Sequence, residues 1–215
     1  IRDRLRSRGL GDVYKRQTYD ELRLATAYLY MKPWFGFHST RLFAMGDARG
    51  NNIYGDNNNE TGYAPYCLFT DKPNTPGLAD AWNALYIVVT QADYIINDYA
   101  PQGRQHFSEA QANACEGEAR FMRAAAYYYL ASYWHDVPIM ENPIAHTEAF
   151  NMAPTRFEDV IRYGIRDLEY AAEWLPLADA DGRVTRYSAL GLLARYYVTL
   201  AAYARGGHCT QATMD

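Results

Sequence analysis

The chain has 215 residues, 49% of them hydrophobic and 21% charged, with a formal net charge of −4. That balance fits one folded domain with a sizeable core, or a piece of something larger, and excludes a disordered chain. No apolar run approaches the ~18 residues that span a bilayer, and the acidic balance does not suit nucleic acid.

Cys67, Cys115 and Cys209 form no even set and no metal-like spacing, so they report no redox compartment. Tyrosine outnumbers phenylalanine 20 to 8. Tyrosine tolerates a wet edge, so many of these rings are expected at boundaries rather than in a dry core.

The opening stretch, IRDRLRSRGLGDVYKRQ, is basic through Arg2, Arg4, Arg6, Arg8, Lys15 and Arg16 and lacks the apolar run of a secretory signal. Back-translation suggests another origin. A common transposase sequencing adaptor ends in AGATGTGTATAAGAGACAG. The frame GAT GTG TAT AAG AGA CAG encodes residues 12–17, and the frame ATA AGA GAC AG encodes residues 1–4 when a purine follows. Residues 1–17 are therefore expected to be translated adaptor, unstructured, standing in place of the native N-terminus and its signals. Residues 18–215 are expected to be the folded unit, itself truncated at the C-terminus.

Helical signals then follow in order. Residues 18–31 open with Thr18 and Glu21 at capping-box spacing, and Pro33 breaks the helix. A polar stretch over residues 46–77, containing GDARGNNIYGDNNNETGYAPY and DKPNTPG, reads as a long loop. A loop of such length inside a compact domain is usually functional or disordered. Residues 78–99 carry Leu78, Ala81, Trp82, Leu85, Val88, Val89, Ala92, Ile95, Ile96 and Tyr99 at helical spacing, and Pro101 and Gly103 are expected to end the helix.

Residues 108–134 begin with another box, Ser108 and Gln111, and end before Pro138. Rings crowd the second half of this helix, most of them expected as packing. Residues 155–175 show Thr155 and Glu158 as a cap, an apolar stripe from Phe157 to Leu175, and Pro176 as the stop. Residues 185–205 end at Gly206 and Gly207.

No alternating strand run appears, so the predicted class is all-α: tetratricopeptide-like helical hairpins with a long irregular loop. AAYYYL from Ala125 and ARYYVT from Ala194 are separated by close to two repeats of about 34 residues. Small residues at Gly117, Ala125, Gly164, Gly191 and Ala194 allow helices to stack closely.

Motifs in AWNALYIVVTQADYIIND (81–98), GEARFMRAAAYYYLASYWHDVPIM (117–140), APTRFEDVIRYGIRDLEYAAEWLP (153–176) and GRVTRYSALGLLARYYV (182–198) occur in a telling order. Together they resemble the SusD/RagB family of surface nutrient-binding lipoproteins, in that family's order and spacing. The resemblance implies the N-terminal half of a SusD-like fold and a lipid anchor at the outer-membrane surface, absent from this chain. It further implies capture of an oligosaccharide, or a peptide, for a TonB-dependent SusC-like transporter. No catalysis, cofactor or metal is implied. Met122 stands for the family's leucine, and His135 stands where glycine is usual and would supply a left-handed cap. Gly117, Arg123, Asp167 and Arg195 match positions where the family packs its helices.

HExxH, G-x-S-x-G, P-loop and GxGxxG patterns are absent. His38, His106, His135, His146 and His208 are widely separated. Asp56, Asn58 and Glu60 faintly resemble a calcium loop, but an EF-hand's required Gly and Glu positions hold Thr61 and Cys67. A helical inverting glycoside hydrolase, drawing on acids such as Asp47, Asp56, Asp71 and Asp136, is the enzyme alternative. A tetratricopeptide-type protein-binding scaffold is the third class.

The candidate ligand surface is the loop carrying Asp47, Arg49, Asn51, Asn52, Tyr54, Tyr63 and Tyr66. Sugars present an apolar C–H face and a rim of hydroxyls, so flat rings and short polar groups suit them together. Arg49 is the alternative partner for an acidic sugar or a peptide carboxylate.

Overall fold

A computed structural model describes residues 18–31, 34, 36–53, 64–142 and 152–209. The segment read as adaptor, the Asp56–Glu60 acidic stretch, Tyr54 and Tyr63 all lie outside the described residues.

Helix α1 (Tyr19–Ala27) opens on the expected box, with the Glu21 N–H donating to Thr18 Oγ1 at 3.3 Å and the Thr18 N–H donating to Glu21 Oε2 at 3.2 Å. A 3-10 turn, Tyr28–Tyr30, follows it. Two wide-turned π segments, Phe37–Arg41 and Phe43–Ala48, then fill the approach to the polar loop. They bury Phe37, Ala44, Met45 and Ala48 and so belong to the core. The short α2 (Ala64–Cys67) interrupts the loop.

Helix α3 (Leu78–Tyr94) starts on Gly77, whose φ of +97° is a left-handed conformation that suits glycine. A Cβ there would also stand 2.5 Å from the Arg41 guanidinium, which donates to Asp80 at 2.9 Å and pins the start of the helix. The expected stop at Pro101 is corrected. The chain widens into a π turn, Ile95–Tyr99, and continues as α4 (Ala100–Gly103), with Pro101 in its first turn. A proline there forfeits little, because first-turn N–H groups have no carbonyl partner in their own helix.

Helix α5 (Glu109–Trp134) carries the Ser108–Gln111 box. Helix α6 (Phe157–Trp174) is not capped by Thr155 and Glu158 as expected. Thr155 pairs its backbone with Val137 at 3.0 and 3.1 Å. The Phe157 N–H is instead taken by Asp136 Oδ1 at 2.8 Å, a carboxylate from the turn after α5. His135 adopts φ 67° and ψ −90°, so the turn keeps a positive φ without glycine but is not the left-handed α cap that glycine would supply. Its ring stacks on Phe157 at 4.8 Å, and its Nδ1 lies 2.7 Å from Asp136 Oδ1. Helix α7 (Arg186–Arg205) completes the array from a Thr185–Ser188 box.

The expected all-α architecture is present: α3, α5, α6 and α7 each pack on the next. Their shared core includes Leu85, Val88, Val89, Leu130, Ile161 and Leu168, all fully buried. Among the described residues the only extended pairing is the Val137–Thr155 bridge.

Charged residues brace the array. Glu118, 1% exposed, takes Arg23 at 3.0 Å and Arg183 at 2.7 Å, tying α1 and the segment before α7 to α5. Arg123 binds Asp167 through Nε at 2.8 Å and Nη2 at 2.7 Å, joining α5 to α6.

Candidate ligand-binding groove

The polar loop and two helix ends enclose a groove of about 600 Å³ lined by Asp71, Lys72, Leu78, Trp82, Tyr133 and Trp134, among others. Each wall has a local cause. Trp82 follows the capped start of α3 by one turn. Tyr133 and Trp134 close α5, where that helix runs out of neighbours. Trp82 and Trp134 meet edge to face, with centroids 5.2 Å apart and planes at 82°. Tyr86 braces Trp82 at 4.8 Å and is itself held by its hydroxyl donating to the Pro138 carbonyl at 2.7 Å. Burial pushes the Tyr86 phenol well above its ordinary range, so it stays a neutral donor.

Asp71, Lys72 and Pro73 of the loop complete the lining, and the 46–53 turn meets the groove's Tyr133 at Gly46. Asp47 accepts the Asn52 N–H at 2.9 Å through its carbonyl, and Gly46 accepts the Gly50 N–H at 2.7 Å, closing a tight turn. Asn51 sits at φ 60°, a conformation that asparagine tolerates better than most residues. This leaves the Asn51 and Asn52 side chains exposed. The Tyr133 hydroxyl lies 3.2 Å from where a Cβ on Gly46 would stand, so the loop approaches the ring closely only because Gly46 has no side chain. Burial, then neighbouring Tyr129 and Asp47, raises the Tyr133 phenol.

Among the sequence-predicted residues, Asp47, Arg49, Asn51 and Asn52 lie together on this turn. Tyr66 does not join them as an open ring, which corrects that expectation. It is 1% exposed and donates to the Pro76 carbonyl at 3.3 Å, so it anchors the loop from beneath. Arg49 pairs with Asp71 at 2.6 Å and lies 5.2 Å from the Phe69 ring centroid. Its charge is therefore met within the chain, which weakens the expectation that it steers an acidic ligand.

Trp82, expected on the core stripe, is only half-buried and faces the groove. Sequence reasoning missed Trp82 and Trp134 as surface rings. The available signal was position: each stands on the last or first turns of a helix that borders the long loop.

Two of the four acids named for hydrolysis are engaged elsewhere, and Asp56 lies outside the described residues. Asp71 holds Arg49, and Asp136 caps α6. A second depression of about 500 Å³, on the outer side of α6 and α7, has Tyr197 as its only ring. Among the described residues, no cluster of three or more His, Cys, Asp or Glu could hold a metal. No helix there is long and apolar enough to cross a membrane.

A stacked-helix array ending in an aromatic groove defines a class of helical ligand-binding scaffolds. The chain belongs to the SusD-like family: a family model described as starch-binding and associating with the outer membrane matches residues 35–198. A SusD-like protein of Bacteroides ovatus is 34% identical over 191 residues, covering 88% of this chain and 34% of that relative. SusD-like protein P2 of Formosa agariphila is 26% identical over 136 residues, covering 62% of this chain and 26% of its own length. The chain thus spans about a quarter to a third of the curated relatives it matches. A structure solved with a xylogluco-oligosaccharide is similar with TM-score 0.71 and 33% identity, over 82% of this chain and 34% of the other. A SusD-like carbohydrate-binding protein from Bacteroides fragilis shares the fold at TM-score 0.65 and 23% identity, over 84% of this chain and 37% of that one.

Proposed function

We propose that the groove between residues 71–73 and the ends of α3 and α5, with the neighbouring 46–53 turn, binds an oligosaccharide. The protein to which this chain belongs would then be a glycan-capturing component at the outer-membrane surface. On this reading it is lipid-anchored and delivers its ligand to a TonB-dependent SusC-like transporter. The observation that carries the reading is the groove's composition: the partly exposed rings of Trp82, Tyr133 and Trp134 share its lining with Asp71, Lys72 and Asn83. Rings take the C–H face of a sugar, and amides donate and accept at its hydroxyl rim. Tyr54 and Tyr63, outside the described residues, are proposed as further ligand contacts. Family membership and the 33%-identical relative solved with a xylogluco-oligosaccharide support it, and make xyloglucan fragments the first ligand to try.

The test is calorimetry of the full-length protein with xyloglucan oligosaccharides, with laminarin- and starch-derived oligosaccharides beside them. Trp82→Ala, Asn52→Ala and Tyr54→Ala should each weaken binding several-fold without unfolding the protein. Wild-type affinity in all three variants would place the site elsewhere. Release of new reducing ends during incubation would favour the hydrolase reading instead.

A further inference from the structure

One buried acid is short of partners. Asp93 lies on the inner face of α3 and is 0% exposed. Its Oδ1 accepts one N–H, from Arg123 Nη1 at 2.6 Å. Its Oδ2 is buried with no hydrogen-bond partner among the described residues. The same guanidinium gives its other two contacts to Asp167, at 2.8 and 2.7 Å, and Asp167 also takes Arg120 at 2.9 Å. One cation is thus shared by two carboxylates, and Asp167 holds the larger part of it. Two further cations stand nearby and are engaged with other groups: Arg120 with Asp167 at 2.9 Å and Glu116 at 2.7 Å, and Arg166 at 5.5 Å from the Tyr163 ring centroid. Tyr127 of α5 and Tyr163 of α6 are neutral phenols pushed upward by burial, and Glu141, beyond α5, is an acid. Asn97, on the next turn, donates to the Asp93 carbonyl and not to its carboxylate.

We infer that Asp93 is carried as a neutral, protonated acid in the folded protein up to neutral pH, making the junction of α3, α5 and α6 a proton-dependent joint. In that state Arg123 and Asp167 form a charge-balanced pair, and Asp93 accepts through its carbonyl oxygen. Ionisation would place a second, poorly compensated anion in the same dry site, where an uncompensated charge is costly. Burial, the largest influence on Asp93, outweighs the pull of Arg123 and raises its pKa to about 7. The sign follows from linkage. Between the unfolded and folded pKa values the folded state holds the extra proton, so stability falls as pH rises through that window. A shift of that size raises the unfolding constant by roughly 10- to 100-fold between about pH 5 and pH 8.

The experiment is denaturation of the full-length protein across that range, beside Asp93→Asn, which mimics the neutral acid. Wild type should lose stability toward pH 8, and Asp93→Asn should flatten the slope. An equally steep slope in the variant would overturn the inference. Infrared spectra of wild type labelled with 13C-aspartate decide the matter even if the variant does not fold. An isotope-shifted protonated-carboxyl band at about pH 6 that fades toward pH 8 supports the inference, and its absence refutes it.

Discussion

Gly164 offers a test of how α6 and α7 fit together. A Cβ at this position would stand 2.4 Å from Tyr196 Cε1 and Oη and 2.5 Å from Cζ. Tyr196 is fully buried, and its hydroxyl donates to the Ala124 carbonyl of α5 at 2.6 Å. Gly164→Ala would therefore drive the ring off its position. Overpacking of this kind costs about 1–3 kcal/mol. Losing the hydroxyl's buried partner adds about 1–3 kcal/mol. Alanine's better helix propensity returns about 1 kcal/mol. The net expectation is a loss of about 1–5 kcal/mol, or roughly 2–20 °C in Tm for a domain of this size. Urea denaturation of the full-length protein, followed by circular dichroism, measures it. Tyr196→Leu should cost stability alone yet cost much less when Gly164→Ala is already present, because both changes act on one contact. A Gly164→Ala variant within about 0.5 kcal/mol of wild type, or strictly additive behaviour of the pair, would refute the fit.

Three further outcomes are expected. Arg123→Met should cost about 3–5 kcal/mol by removing the two-pronged partner of Asp167 and leaving it Arg120 alone, and Arg123→Lys should recover less than half of that in a urea titration, since an ammonium cannot reproduce the fork. Asp136→Ala should remove the α6 cap at a cost of about 1 kcal/mol. The Phe157 N–H lowers the Asp136 pKa, so this stabilisation is present above the unfolded value, is lost as pH falls through the folded one, and should vanish from an acid titration of the variant. Trp82→Ala should cost only about 1–2 kcal/mol in thermal melts, below the ~3–5 kcal/mol of a fully buried tryptophan, while reducing glycan binding in calorimetry.

Legibility in the sequence tracked distance along the chain. The Thr18–Glu21 and Ser108–Gln111 boxes join residues three apart, so pattern alone found them. The stripe through Leu85, Val88, Val89 and Ala92 was legible because helical period reports one buried face. Asp136 as the cap of α6 was not, because capping rules look only at a helix's immediate neighbours, and this acceptor crosses from the turn after α5. Tyr196 carries no local sign of its partner. The hollow at Gly164 that swallows it belongs to another helix. Tyr66 read as an open platform because its surroundings are polar in sequence, whereas its partner, Pro76, closes over it from further along the loop.

The ring-rich half of α5 unites these findings. Tyr127 is fully buried and accepts the Met140 N–H at 2.8 Å, which fixes the chain after the helix. Tyr128 meets Tyr196 of α7 at 5.3 Å. Tyr129 packs on Phe37 at 4.9 Å and stacks with Tyr133 at 6.5 Å, filling the space left by the π segments. Only at Tyr133 and Trp134 does the supply of neighbours end and the groove begin. Layered packing consumes rings wherever a second helix lies alongside, so a helix clad in aromatics turns into a binding surface where it outruns its partners. That is why Trp134, and Trp82 across from it, stand as the open faces of an otherwise structural cluster. In the proposed site the rings would supply the apolar face, and the polar loop the donors and acceptors that a helix end lacks.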